Sequence, residues 1–199
     1  MHHRVKNNLQ IISSLLNLER NIRTDGETKK VLLEARQRIK SMALIHKNLY
    51  QYDDLSEIKI LPYLRELVHG IHQTYKDRVK QIKCEVESDV RSLDVDRAIP
   101  MGLIITELVS NSYKYAFRKV DSGEIKVEIK KKESGFTLIV SDNGAGMKTM
   151  KNKATQTESL GLRLVDLLAN QLRATYTTSV ANGTCFIFEF EKQINKSRS

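Results

Sequence analysis

Tryptophan is absent, aromatic residues make up only 6% of the 199-residue chain, and cysteine occurs twice, at Cys84 and Cys185. Two cysteines cannot build the disulfide framework of a small secreted domain, so a reducing compartment and free, core-filling thiols are expected. Long apolar runs are missing too. Those present, such as Met101 to Ile105, fall far short of the roughly 20 residues that cross a bilayer. No Gly-x-x-x-x-Gly-Lys-Ser/Thr sequence exists, which excludes a P-loop. No secretory leader is visible: Met1 is followed by histidine, arginine and lysine, then by a polar amphipathic segment. The expectation is a soluble cytoplasmic chain of one or two small domains, without internal repeats or low-complexity tracts.

What the chain has in quantity is charge. Charged residues are 29% of it, and 33 Lys and Arg against 24 Asp and Glu give +9. The positives are scattered, apart from Lys130-Lys131-Lys132, Lys148 to Lys153 and the tail. That is not the concentrated stripe of a nucleic-acid binder; phosphate-bearing small molecules and acidic protein partners fit as well.

Val5, Leu9, Ile12 and Leu16 fall on one helical stripe, and Leu32, Ala35, Ile39, Met42 and Leu49 on a second. Asn21 to Thr28, with Asp25-Gly26, reads as the turn between them. The result is an antiparallel helical hairpin over residues 1–54. One hairpin cannot bury both stripes, so a homodimer through a four-helix bundle is expected; a monomer folded onto its own second domain is the competing outcome.

After a polar break at Tyr52 to Glu57, a second domain spans 55–193, with 194–199 as a disordered tail. A helix is expected over Ile58 to Tyr75, with Pro62 tolerated in its first turn. Strands are expected at Ile82 to Val86, Ser92 to Val95, Glu124 to Lys131, Phe136 to Ser141, Thr175 to Val180 and Thr184 to Glu191. Asp96 is a plausible N-cap for a helix running to about Phe117, and Leu160 to Leu172 is the last helix. The fold class is α+β: a helical hairpin, then a mixed sheet with helices on one face.

Three motifs in that domain carry chemistry. On the helix from Asp96, Ile105, Leu108, Val109, Ser112 and Ala116 share the side that packs on the sheet. Glu107, Asn111, Lys114 and Tyr115 lie within about 80° of each other on the opposite side. Asp142-Asn143-Gly144-Ala145-Gly146 comes straight off a strand. Its aspartate can accept a hydrogen bond from an exocyclic amine such as adenine N6, and its glycines let backbone approach a ligand. Met147 to Glu158 is long, polar and lysine-rich, like a lid. Ser159-Leu160-Gly161-Leu162 then opens a helix whose free N–H groups suit phosphate.

Together these stretches resemble the ATP-binding domain shared by histidine kinases, gyrase, Hsp90 and MutL. Glu107 to Phe117 resembles the N box, Asp142 to Gly146 the first glycine box, Ser159 to Leu162 the second, and Gly183-Thr184 the late Gly-Thr behind adenine. The resemblance implies ATP and Mg²⁺ as cofactors. Asn111 would be the Mg²⁺ ligand, Lys114 would face phosphate, and Asp142 would read adenine with Thr184 in support. Glu107 would polarise or accept a proton near the γ-phosphate. Tyr115, Gly144, Gly146, Ser159, Gly161 and Leu162 complete the nucleotide-site candidates. Ser159 stands where the second box usually begins with glycine.

His2-His3-Arg4-Val5-Lys6-Asn7-Asn8-Leu9-Gln10 resembles the acceptor segment of one histidine-kinase subfamily. His2 lies about 60° from Val5 and His3 about 160°, so His3 faces solvent. The family motif also places the acceptor directly before the arginine. Many histidine kinases have an acid after the histidine; here it is Arg4, which leaves the general base open, with Glu107 as one option. Asn7, one turn on, would orient water for dephosphorylation or be a solvated amide. The implied activity is autophosphorylation and transfer to an aspartate on a response-regulator receiver domain. A non-catalytic scaffold or pseudokinase, and an anti-sigma-factor-like serine kinase, are the alternatives. Such kinases carry a signal domain before the acceptor, so this chain is expected to be the cytoplasmic part of a longer sensor. His46 reads as a packed core residue, and the i, i+3 pair His69 and His72 lacks the partners of a zinc site.

Overall fold

The computed structural model describes residues 12–16, 18–22, 24–49, 57–75, 81–117, 122–146 and 160–191. The candidates His3, Asn7 and Ser159, the 147–158 lid, the 52–56 break, the 194–199 tail and the side chains of Met42, His46 and Leu49 lie outside the described residues or side chains.

Residues 12–16 and 18–22 are helical, and helix α1 runs over Gly26–Leu49. Asp25 caps it, its Oδ2 accepting from the Thr28 N–H at 2.8 Å. Leu32, Ala35 and Ile39 are half-buried. Leu15, Leu18 and Ile22 are 58%, 59% and 73% exposed, which leaves one apolar face of the hairpin uncovered within the chain.

The expected helix at Ile58 is preceded by a short strand. β1 (Glu57–Lys59) pairs antiparallel with β3 (Ser92–Asp94), and helix α2 begins at Ile60 and ends at Tyr75. Its buried residues Ile60, Tyr63, Leu64, Leu67, Val68, Ile71 and Tyr75 follow the helical period. The N-cap of helix α3 (Val95–Asn111) is Asp94, not Asp96: Asp94 Oδ1 accepts from the Arg97 N–H at 2.8 Å. Asp96 instead sits in the first turn, where its charge suits the helix dipole. The α-helix stops at Asn111, and Ser112–Ala116 continues as a π-helical segment.

The five-stranded sheet has the order β2-β4-β5-β7-β6. β2 (Gln81–Ser88) runs parallel to β4 (Ser122–Lys132). β5 (Gly135–Asp142), β7 (Thr184–Glu191) and β6 (Thr175–Ser179) complete it antiparallel. Helix α4 is Leu160–Gln171. Alternation puts Ile125, Val127 and Ile129 of β4, Phe136, Leu138 and Val140 of β5, and Phe186, Phe188 and Phe190 of β7 into one core. Each such side chain contributes about 1.5–3 kcal/mol when fully buried. The same period of two continues one step further on each central strand and delivers Asp142 and Thr184 to the inner face, where they are register partners. A core position is thus filled by a carboxylate.

Candidate nucleotide site

Asp142 is 8% exposed, so its oxygens must be satisfied internally. Oδ1 accepts from the backbone N–H of Gly144 at 3.1 Å and of Thr184 at 3.2 Å. Oδ2 accepts from Ser112 Oγ at 2.8 Å. A carboxylate oxygen has two lone pairs, so Oδ2 keeps one for a further donor, such as an exocyclic amine. The structure therefore brings Asp142, Gly144 and Thr184 together, with Thr184 acting through its backbone.

The turn after Asp142 is held tightly. Ala145 N–H donates to the Ala116 carbonyl at 3.0 Å, and a Cβ on Gly144 would lie 2.5 Å from that same oxygen. Gly146 has φ of +71° and Gly183 of +104°, both in the region that favours glycine. Gly161 is buried near the start of α4, and Leu162 is half-buried against the core.

Glu107, Asn111 and Lys114 do share one stripe, but it is neither solvated nor open. Helix α1 lies against it. Arg38 grips Glu107 with two bonds, Nε to Oε1 at 2.5 Å and Nη2 to Oε2 at 3.0 Å. Lys114 Nζ donates to Glu34 Oε1 at 2.7 Å. The hydrogen bond to Glu107 holds the Arg38 guanidinium above its ordinary pKa, against the desolvation of burial; the charges of Glu107 and Glu34 add to it. Asn111 is half-buried between the two pairs. Tyr115 does not join them: the π segment departs from the 100° step, and Tyr115 is 42% exposed.

Three residues join the site that the sequence motifs do not mark, Ser112, Glu34 and Arg38. Helical periodicity places Ser112 on the sheet-facing side, where a serine among apolar neighbours is the signal. Glu34 and Arg38 carry no signal beyond being a charged i, i+4 pair on the hairpin. On the far side of the π segment, Tyr113 stacks on Tyr75 with centroids 5.2 Å apart. Its hydroxyl meets His72 Nδ1 at 2.7 Å and Cys84 Sγ at 2.9 Å. Burial pushes the Cys84 thiol up in pKa, partly offset by that bond. Cys84 and Cys185 are both free and half-buried.

An amide and a carboxylate beside a buried, multiply bonded aspartate, on a mixed sheet covered by helices, make a site whose chemistry suits a nucleotide. Comparison with known proteins narrows this. A histidine kinase family model matches residues 1–75, and the histidine kinase-, DNA gyrase B- and HSP90-like ATPase model matches 96–194. The chain belongs to the histidine kinase family, with a hairpin of that type followed by the ATPase domain. It is 30% identical over 177 residues to the sensor histidine kinase PdtaS of Mycobacterium tuberculosis, covering 85% of this chain and 34% of that protein. PdtaS of Mycolicibacterium smegmatis is 30% identical over 175 residues, covering 84% and 33%. The chain thus spans about a third of these relatives. The histidine kinase domain of the Erythrobacter litoralis blue-light activated kinase EL346 superposes with a TM-score of 0.73 at 17% identity. That match covers 96% of this chain and 93% of the other, a likeness of fold. Among the described residues no helix is long and apolar enough to cross a membrane.

Proposed function

We propose that the chain is the ATP-dependent core of a sensor histidine kinase, phosphorylating His3 and passing the phosphoryl group to an aspartate of a response-regulator receiver domain. The single observation that carries this is the Ser112–Asp142 bond. It ties the carboxylate suited to adenine directly to the helix end that bears Asn111 and Lys114. In this reading Asp142 accepts the adenine amine, Gly144 and Thr184 N–H groups hold its other oxygen, and Lys114 binds phosphate. Gly146, Gly161 and Leu162 shape the phosphate side with Ser159, and Tyr115 flanks the nucleotide.

The side-chain oxygen of Asn111 suits a hard divalent cation. Held there, Mg²⁺ would supply positive charge to offset that of the phosphates during the transfer. A neutral imidazole nitrogen of His3 attacks the γ-phosphorus, the bond to the β–γ bridging oxygen breaks, and ADP leaves. Glu107 is the carboxylate assigned to take the imidazole proton. Asn7 is assigned to orient water that hydrolyses the partner's aspartyl phosphate, releasing inorganic phosphate. The exposed apolar face of the hairpin supports a homodimer.

The test is incubation with γ-labelled ATP and Mg²⁺ for wild type, His3→Gln and Asn111→Ala. An acid-labile, base-stable label lost in both variants is expected. Label that persists in His3→Gln removes His3 as the acceptor.

A further inference from the structure

The stripe that should receive phosphate and metal is closed at both ends by the hairpin. Arg38 and Glu34 are one turn apart on α1; Glu107 and Lys114 are two turns apart on α3 and its π-helical continuation, with Asn111 between. The charges cross in antiparallel sense: the earlier hairpin residue, Glu34, meets the later Lys114, and the later Arg38 meets the earlier Glu107. Side-chain exposures are 18% and 8% for Arg38 and Glu107, and 11% and 18% for Lys114 and Glu34. These pairs are withdrawn enough from water to be more than surface decoration. The Arg38 grip is bidentate, the strongest geometry for a guanidinium and a carboxylate.

We propose that these two ion pairs form an autoinhibitory latch that nucleotide phosphate opens. The inference rests on the assignment of Lys114 to phosphate made above. With Arg38 in place, both oxygens of Glu107 are bonded to the guanidinium and the carboxylate is covered by α1, so an imidazole has no path to it. With Glu34 in place, the ammonium of Lys114 is occupied. An incoming triphosphate takes Lys114 and sets its own negative charge beside the Glu34 carboxylate. Attraction between α1 and α3 becomes repulsion at that end, which weakens the hold of α1 on the stripe and leaves the Arg38–Glu107 pair at the other end. Release frees Glu107 for the hairpin's own histidine. Nucleotide occupancy and exposure of the base are thereby coupled through one helix pair, as a two-state element biased by its ligand requires.

The experiment compares wild type with the double variant Glu34→Gln/Arg38→Gln, neither of whose substitutions alters an assigned ATP-site residue. A fluorescent ATP analogue is titrated in Mg²⁺ buffer, and small-angle scattering is recorded with and without saturating analogue. The variant should bind roughly tenfold more tightly, since binding no longer competes with two part-buried ion pairs. Wild type should expand when saturated, and the variant should already be expanded without nucleotide. Equal or weaker binding by the folded variant overturns the latch. So does a wild-type scattering curve unchanged at saturation, which decides the matter even where the variant fails to fold. If wild type binds no analogue at all, the nucleotide assignment fails first and the latch falls with it.

Discussion

Replacing Ser112 with alanine tests the contact on which the nucleotide site is built. Ser112 is 7% exposed and Asp142 8%, so water does not readily substitute for a lost hydroxyl. Ser112 Oγ lies 2.8 Å from Asp142 Oδ2 and 3.3 Å from the Leu108 carbonyl. A hydroxyl has one proton, and the shorter contact, to the charged carboxylate, takes it. A hydrogen bond to a charged group contributes about 1.5–3 kcal/mol. Alanine returns about 0.5 kcal/mol through better helix propensity. The expected net loss is therefore about 1–2.5 kcal/mol, or about 2–10 °C in melting temperature for a chain of this size. Urea denaturation of Ser112→Ala, Asp142→Ala and the double variant closes a cycle that isolates the pair. The Gly144 and Thr184 N–H groups left unpaired by Asp142→Ala are common to both arms and cancel. The helix-propensity gain cancels as well, so a coupling energy of about 1.5–3 kcal/mol is expected. Additivity within about 0.5 kcal/mol would falsify the claim that Ser112 holds Asp142.

Gly183→Ala should cost at least about 2 kcal/mol in denaturant midpoint, because its φ is +104° and a Cβ would sit 1.9 Å from the Asp142 carbonyl oxygen. Gly70→Ala, where a Cβ meets nothing within 4 Å, is the control and should gain about 0.5–1 kcal/mol; similar losses at both sites would refute the turn argument. Sedimentation of wild type should report a dimer that Leu18→Glu/Ile22→Glu converts to monomer, since these side chains are 59% and 73% exposed in the single chain. A monomeric wild type at tens of micromolar would end the dimer proposal.

The second domain was legible because its strands alternate. Ile125, Val127 and Ile129 announced β4, and the run ending at Asp142 announced both β5 and the residue at its end. The failures have local physical causes. β1 is three residues long, too short for a period of two to register, and becomes a strand only through β3 more than 30 residues away. Asp94 and Asp96 both lie at the helix start, and only backbone geometry chooses between them: Asp94, at φ −62° and ψ 157°, is extended and can turn its side chain to the Arg97 N–H. The polar face of α3 was legible as a stripe, but its partners were not. Glu107 meets Arg38 across 69 positions and Lys114 meets Glu34 across 80. A periodicity says which way a side chain points along its own helix; it carries nothing about which other helix comes to meet it.

The π-helical segment explains why so much converges on five residues. In a continuous α-helix, Ser112 and Lys114 would be fixed in azimuth by the turns before them. Widening to i→i+5 bonding resets that azimuth, and such segments recur at functional sites. Ser112 then reaches the Asp142 carboxylate and Tyr113 packs on Tyr75 against Cys84 and His72. Lys114 meets the hairpin, Tyr115 is 42% exposed, and the Ala116 carbonyl receives the Ala145 N–H. The Asp142 carboxylate, rear core, hairpin and glycine turn are thus all attached to consecutive residues. A shift of this segment cannot move Lys114 without also moving the hydroxyl bonded to Asp142. For that reason a change at the hairpin contact should be felt at Asp142, and a change at Asp142 should be felt at the hairpin.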